Sequence, residues 1–427
     1  MNNGKIKNSN AHQCISCGSN LKDDLVEIGN QFPSAIFLEK KDAIPNGLTP
    51  SSLNLSKCKN DNCGLVQLTE IKDLQYVFDH YPYESGSTAT MKEKLKSIID
   101  DSLNYVKLNK DDVILDIGGN DGTMLSLIDK KVFAKVNIDA ASGVKQRIDE
   151  KNYYHVHSKF NYESYNSLNL APPKLIFSVA MFYHLSDPKS FCKDIAKVMS
   201  EDSIWVLQMT YLGSMLKDNI FDNIVHEHVA YYSLKSLEFL LNMFNLNIIE
   251  SKIVDSYGGS LRVYIKKNTT QKIIDSFRKE YYKIQKFETK NNTNTFQGLW
   301  AFNEKTQLLK STLKNIINHI NEIHGPFVGF GASTKGNMIL QLLNLDEKNI
   351  SCVLDNSLKK IGTYLTGNNI PILDENLIKK KCPKYIIILP YYYESALLAI
   401  IKKILPKDSN TSVLVPLPKP HFINIKN

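Results

Sequence analysis

No apolar run in this chain approaches the roughly 18 to 20 residues that a membrane span requires. The opening residues, Met1-Asn2-Asn3-Gly4-Lys5, lack the apolar core of a secretory signal. These absences lead to the expectation of a cytoplasmic protein without a membrane partner. Charge is not concentrated either. The net charge of +8 is spread over many lysines, with no basic tail and no basic patch interleaved with aromatics, so no nucleic-acid partner is expected. Such a balance suits small phosphorylated substrates, and equally a merely solvated surface. Cysteine is scarce, and its count of seven is odd, which together with the compartment argues against a disulfide framework. Cys192, Cys352 and Cys382 lie in or beside apolar segments and read as small buried hydrophobes. Two fingerprints are also missing. The glycines of Gly118-Gly119-Asn120-Asp121-Gly122 do not follow the G-x-G-x-x-G spacing of a dinucleotide site. In His226-Glu227-His228 the second histidine comes too early for the zinc-protease helix, which needs its histidines four residues apart on one face. Nothing in the sequence sets an oligomeric state.

What is present suits several domains. The length of 427 residues allows two or three, and 43% hydrophobic with 22% charged residues is ordinary for a globular chain. Residues 1–75 carry Cys14-Ile15-Ser16-Cys17-Gly18 and Cys58-Lys59-Asn60-Asp61-Asn62-Cys63-Gly64. Close cysteine pairs, each followed by glycine, form the knuckles that hold tetrahedral zinc, and four thiolates close the ion off, so Cys14, Cys17, Cys58 and Cys63 predict a structural Zn2+. Residues 76–290 alternate short apolar runs with helical periodicity, the pattern of a parallel sheet covered by helices. Strands are predicted at Val113–Ile117, Val136–Asp139, Leu175–Ala180 and Ile204–Met209, with helices at Thr123–Lys130 and Pro188–Met199. A long amphipathic helix over 295–322 leads into a second α/β unit within 291–427, with strands at Ser351–Leu354 and Tyr385–Leu389. The expected fold class is therefore α/β: a small zinc-binding N-terminal domain, a central Rossmann-like unit and a C-terminal Rossmann-like unit. A glycine turn lets backbone approach a ligand, and Asp139, ending the second strand, can take both hydroxyls of a ribose. Asp116 precedes the turn, where a carboxylate would repel a pyrophosphate but suits the amino-acid end of S-adenosylmethionine. The candidate cofactor residues are Asp116, Gly118, Gly119, Asn120, Asp121 and Asp139.

Taken in order, Cys-x-x-Cys-Gly, Cys63-Gly64-Leu65-Val66-Gln67-Leu68, Tyr81-Pro82-Tyr83-Glu84-Ser85, Asp116-Ile117-Gly118-Gly119-Asn120-Asp121-Gly122-Thr123, His226-Glu227-His228, Gly258-Gly259-Ser260-Leu261-Arg262-Val263 and Gly329-Phe330-Gly331-Ala332-Ser333-Thr334-Lys335-Gly336 resemble the nucleotide-sugar C-methyltransferases over nearly the whole chain. The resemblance implies methyl transfer to the carbon beside a ketone, C3 of a 4-keto-6-deoxy sugar carried on a nucleoside diphosphate. It makes His228 the base that removes the α-proton, with Glu227 in support, His184 at the active site, and Tyr83 or Tyr81 facing the sugar. Lys335, in its glycine-rich turn beside Ser333, suits a diphosphate. Asp355 and Lys360 are further substrate-binding candidates. The chain departs from the family at Val225, where a tyrosine is usual, at Tyr257 in place of histidine, in the wider second cysteine pair, and at Pro390-Tyr391-Tyr392-Tyr393. The changes at Val225 and Tyr257 keep open an O-methylating or non-methylating sugar enzyme, whereas the third reading, a catalytically silent nucleotide-sugar binder, has no need of the Asp116 and Asp139 that this chain retains.

Overall fold

The computed structural model describes residues 9–10, 12–45, 47–72, 84–141, 144–148, 151–256 and 258–426. Tyr81, Tyr83 and Tyr257 lie outside the described residues. In the N-terminal segment, β1 (Leu55–Lys57) and β2 (Val66–Leu68) form an antiparallel hairpin around the second cysteine pair. The helix α1 (Ala89–Ser102) follows, capped by Thr88, whose hydroxyl accepts from the Met91 amide at 3.2 Å. Its buried residues Met91, Leu95, Ile98 and Ile99 recur at helical spacing, so one stripe faces the core.

A seven-stranded sheet occupies the centre. Its strands are β3 (Val113–Ile117), β4 (Ala134–Asp139), β5 (Tyr153–His157), β6 (Leu175–Val179) and β7 (Ile204–Thr210), then, after the short β8 (Ala230–Tyr231), β9 (Leu246–Val254) and β10 (Ser260–Lys267). The order across the sheet is β5-β4-β3-β6-β7-β10-β9, parallel except that β10 runs antiparallel to both its neighbours. The near-continuous burial of β3, β4 and β7 is what strands covered on both faces require. Short β8 belongs elsewhere: it pairs with β2, so the N-terminal hairpin grips the chain just beyond the His-Glu-His run.

The helix predicted to reach Lys130 stops at Ser126 instead. There the Leu127 and Ile128 amides turn to the carbonyls of Met124 and Leu125, the tighter bonding that ends a helix, and β4 starts at Ala134. The long amphipathic helix α2 (Phe296–His324) leads into a six-stranded sheet. The latter comprises β11 (Phe327–Phe330), β12 (Ile350–Asp355), β13 (Ile372–Asp374), β14 (Tyr385–Ile388), β15 (Asn410–Val415) and β16 (His421–Lys426), in the order β13-β12-β11-β14-β15-β16, with only β16 antiparallel. The α/β class expected from the sequence is thus the observed one. Cys192 and Cys352 are buried as expected, whereas Cys382 is exposed, because it closes a short helix in the left-handed conformation (φ 39°). No helix among the described residues is long and apolar enough to cross a membrane.

Candidate active site

The turn after β3 is shaped by backbone that ordinary residues avoid: Gly118 and Gly122 sit at φ 74°. A Cβ on Gly119 would lie 2.5 Å from the Asp116 carboxylate, so glycine there is a steric requirement. Beside the turn opens a cavity of about 550 Å³, counting its mouth, lined by Asp116, Gly118, Gly119, Lys94, Ala180 and Gln208 among others. Asp116 is buried, and burial, followed by the like charges of Asp139 and Asp121, pushes its carboxyl up to about 8. Such a group is stabilised by a cation, as the ammonium of an amino acid would provide. Asp139 accepts the Asn120 amide at 2.7 Å and the Ala141 amide at 2.6 Å, which leaves a carboxylate capacity for ribose hydroxyls.

Asn120 and Asp121 have other duties. Asn120 accepts from the Ser85 amide at 3.0 Å. Asp121 holds the Gly86 amide at 2.9 Å, the Thr123 hydroxyl at 2.6 Å and Arg147 Nε at 2.5 Å. These two side chains brace the turn against Ser85 and Gly86. The donor set as a whole fits S-adenosylmethionine at its two polar ends, which gives a direct expectation. With its carboxyl raised to about 8, Asp116 should be largely protonated at pH 7 and an arriving ammonium should ionise it, so binding of S-adenosylhomocysteine should release close to one proton. Calorimetry in buffers of different ionisation enthalpy reads that proton, and D116N should remove it. An enthalpy independent of buffer overturns the assignment.

A second group forms where the 3-10 turn Phe182–His184 after β6 meets the loop 223–229. The rings of His184 and His228 lie stacked, centroids 5.5 Å apart, and Tyr183 meets both edge-on at 4.5 and 4.3 Å. The Val229 amide donates to the Tyr183 carbonyl at 2.8 Å and fixes the two segments together. His228 Nδ1 lies 2.8 Å from the Asn223 carbonyl. A carbonyl only accepts, so the ring carries its proton on Nδ1 and keeps the Nε2 lone pair. Burial lowers both imidazoles, His184 to about 3, and His184 and Lys335 add to the lowering at His228. Glu227 is buried with neither oxygen hydrogen-bonded among the described residues, and burial raises its carboxyl to about 7. His226 is buried beside the backbone of Ser51 and Gln31, and burial lowers it to about 4.

The C-terminal sheet brings Lys335 into the same neighbourhood. Ser333 caps the helix α3 (Thr334–Leu342), its hydroxyl accepting from the Gly336 amide at 3.0 Å, and Lys335 stands in the first turn. Lys335 Nζ donates to the Asn223 side-chain oxygen and lies 4.6 Å from the Tyr392 ring centre. Asp355 repeats the role of Asp139: it accepts the Ala332 amide at 2.7 Å and faces Lys360 at 3.7 Å, while Lys360 donates to the Ala332 carbonyl at 2.7 Å. Both therefore shape the turn around Ser333. Sequence reading missed Asp222, fully buried, which accepts from Tyr391 at 2.9 Å and Tyr392 at 2.6 Å and so ties the segment before His228 to the turn that follows the C-terminal strand Tyr385–Ile388. The consecutive tyrosines 391–393 were the available signal.

At the N-terminus the sulfur atoms of Cys14, Cys17, Cys58 and Cys63 all lie within 4.8 Å of one another, a group that could hold a metal ion. Their packing resists thiolates: burial and neighbouring thiols raise Cys58 to about 12 and raise Cys63 as well. A cation at the centre reverses that, which is why the donor set fits a tetrathiolate metal.

Residues 89–251 match a family described as a methyltransferase domain, and residues 255–418 match the C-methyltransferase C-terminal domain. The C-methyltransferase NovU of Streptomyces niveus is 22% identical over 419 residues, covering 97% of this chain and 97% of that protein. Among solved structures, the N-methyltransferase NodS from Bradyrhizobium japonicum WM9 is 12% identical, covering 43% of this chain and 99% of its own, with a TM-score of 0.33. The S-adenosylmethionine-dependent methyltransferase of Clostridium acetobutylicum ATCC 824 is also 12% identical, over 42% of this chain and 92% of its own, with a TM-score of 0.31. The chain thus carries a methyltransferase domain followed directly by a C-methyltransferase C-terminal domain, and is similar to a C-methyltransferase over nearly its whole length.

Proposed function

We propose that the protein methylates the carbon beside the ketone, C3, of a 4-keto-6-deoxy sugar carried on a nucleoside diphosphate. The observation that carries this reading is the imidazole of His228, held by the Asn223 carbonyl with its Nε2 lone pair available and His184 stacked beside it. An α-proton next to a ketone leaves only to a positioned base while the developing oxygen charge is stabilised. His228 takes the proton. Glu227, raised to about 7 and thus substantially protonated near neutrality, can donate to the enolate oxygen. S-adenosylmethionine, when bound, supplies an electrophilic methyl group, and the turn around Asp116 and Asp139 orients it. Lys335, with Ser333 at the same helix start, offers charge for the diphosphate, and Asp355 and Lys360 hold that turn in shape.

The same reading divides the chain into a zinc-binding domain (1–75), a methyltransferase domain (76–290) and a nucleotide-sugar-binding domain (291–427), with Zn2+ on the four cysteines. Support comes from the N-terminal cysteine hairpin, the seven-stranded sheet and the six-stranded sheet.

The test is incubation with methyl-labelled donor and a panel of nucleoside-diphosphate 4-keto sugars in deuterium oxide. The expected product carries the methyl on the α-carbon, and substrate without donor gains deuterium there. Methyl found on oxygen favours the O-methylating alternative; neither exchange nor transfer leaves a silent binder.

A further inference from the structure

The donor cavity has a second polar wall opposite Asp116. Gln208 lies on β7 and faces Arg262, its cross-strand partner on β10. Both side chains are buried, and Arg262 Nε donates to Gln208 Oε1 at 2.7 Å. Arginine has donors only, so it fixes which way round the amide sits: the oxygen turns to Arg262, and the group Gln208 offers the cavity is its N–H2. The clamp is itself anchored. Arg262 Nη1 donates to the Ser97 carbonyl at 3.2 Å and to Asp101, both on α1, the helix that also lends Met91, Lys94, Leu95 and Ile98 to the cavity. On the other side, the Gln208 carbonyl accepts the Ala180 amide at 2.9 Å, and Ala180, another cavity residue, is held at φ 55°. A non-glycine residue kept in the left-handed region at a cavity wall is a cost that surrounding structure imposes, as happens around ligand sites.

We infer that Gln208 is a recognition residue for the methyl donor, its clamped amide N–H2 binding the α-carboxylate of the amino-acid end while Asp116 takes the α-ammonium, with Arg262 as its positioning residue. A zwitterion needs one acceptor and one donor at its two charged groups, and β3 and β7 present those two functions from opposite sides of β6. The inference rests on the methyltransferase assignment and is independent of the sugar substrate.

Two ligands separate this role from general cavity damage. S-adenosylhomocysteine carries the amino-acid end; 5′-methylthioadenosine lacks it. Titration calorimetry should show Q208L binding S-adenosylhomocysteine about tenfold more weakly, the scale of one hydrogen bond to a charged group, with 5′-methylthioadenosine unchanged within about twofold. Q208E keeps the bond to Arg262 but turns a like charge toward the carboxylate, so its selective loss should be larger; it also serves if Q208L folds poorly by melting temperature. Equal weakening of both ligands, or no weakening of either, overturns the inference. So does a selective loss in K94M with none in the Gln208 variants, which would give the carboxylate to Lys94.

Discussion

Replacing His228 with alanine should lower methyl transfer about 10³-fold, within the range that a general base supplies, and should stop deuterium wash-in at the α-carbon to the same extent. Binding of S-adenosylhomocysteine should stay unchanged, because the donor residues Asp116 and Asp139 belong to different strands from the 223–229 loop. The pH profile adds an independent reading. Burial, then His184 and Lys335, hold the His228 pKa well below 6.5, so the folded ring is neutral where an exposed histidine would already be half-protonated. The acid limb of kcat/KM, which reports the free enzyme, should accordingly fall below pH 6.5 and activity should persist into mildly acidic solution. Turnover of H228A within tenfold of the parent removes His228 as the base. An acid limb at or above 6.5 contradicts the environment assigned to it.

The two sheets were legible because their signals are local. Buried parallel strands read as continuous apolar runs, and each glycine turn announces itself in sequence: β3 into Gly118-Gly119, β11 into Gly331. The acids that end the next strands, Asp139 and Asp355, were legible in position for the same reason, although Asp355 proves to hold the Ala332 amide. What the sequence does not display is anything made by packing between distant segments. Gln208 is one polar residue within a buried strand, and only its register against Arg262 turns its amide into a donor. Asp222 and the tyrosines 391 and 392 meet across some 170 residues of chain, so no periodicity links them. The reading of Asn120 and Asp121 as cofactor contacts came from their place in the turn; their bonds to Ser85, Gly86 and Arg147 are long-range contacts that no local pattern displays.

Removing the zinc proposed for the cysteine cluster should cost both stability and catalysis, and the second loss follows from the path of the chain. β2 begins three residues after Cys63, and its strand partners are β1, which runs into Cys58, on one side and β8 on the other. Ala230 pairs with Gln67 and Tyr231 with Val66, while the Leu68 amide donates to the Val229 carbonyl at 3.0 Å. His228 therefore lies two residues ahead of a strand that the N-terminal hairpin holds in place. The hairpin of β1 and β2 is too small to persist by burial alone. A structural zinc site contributes about 10–16 kcal/mol of binding energy to folding in small zinc peptides, far above what this lobe's few short strands can replace. C58S, or prolonged chelation, should remove zinc from one ion per chain to none by elemental analysis, lower the melting temperature, and raise hydrogen exchange at residues 66–68 and 226–231 together. Methyl transfer should fall with them, and zinc returned to the chelated protein should restore all three readouts. If zinc-free protein exchanges slowly over 226–231 and transfers methyl at the original rate, the cysteines hold the N-terminal lobe alone and the base is positioned by the two sheets without it.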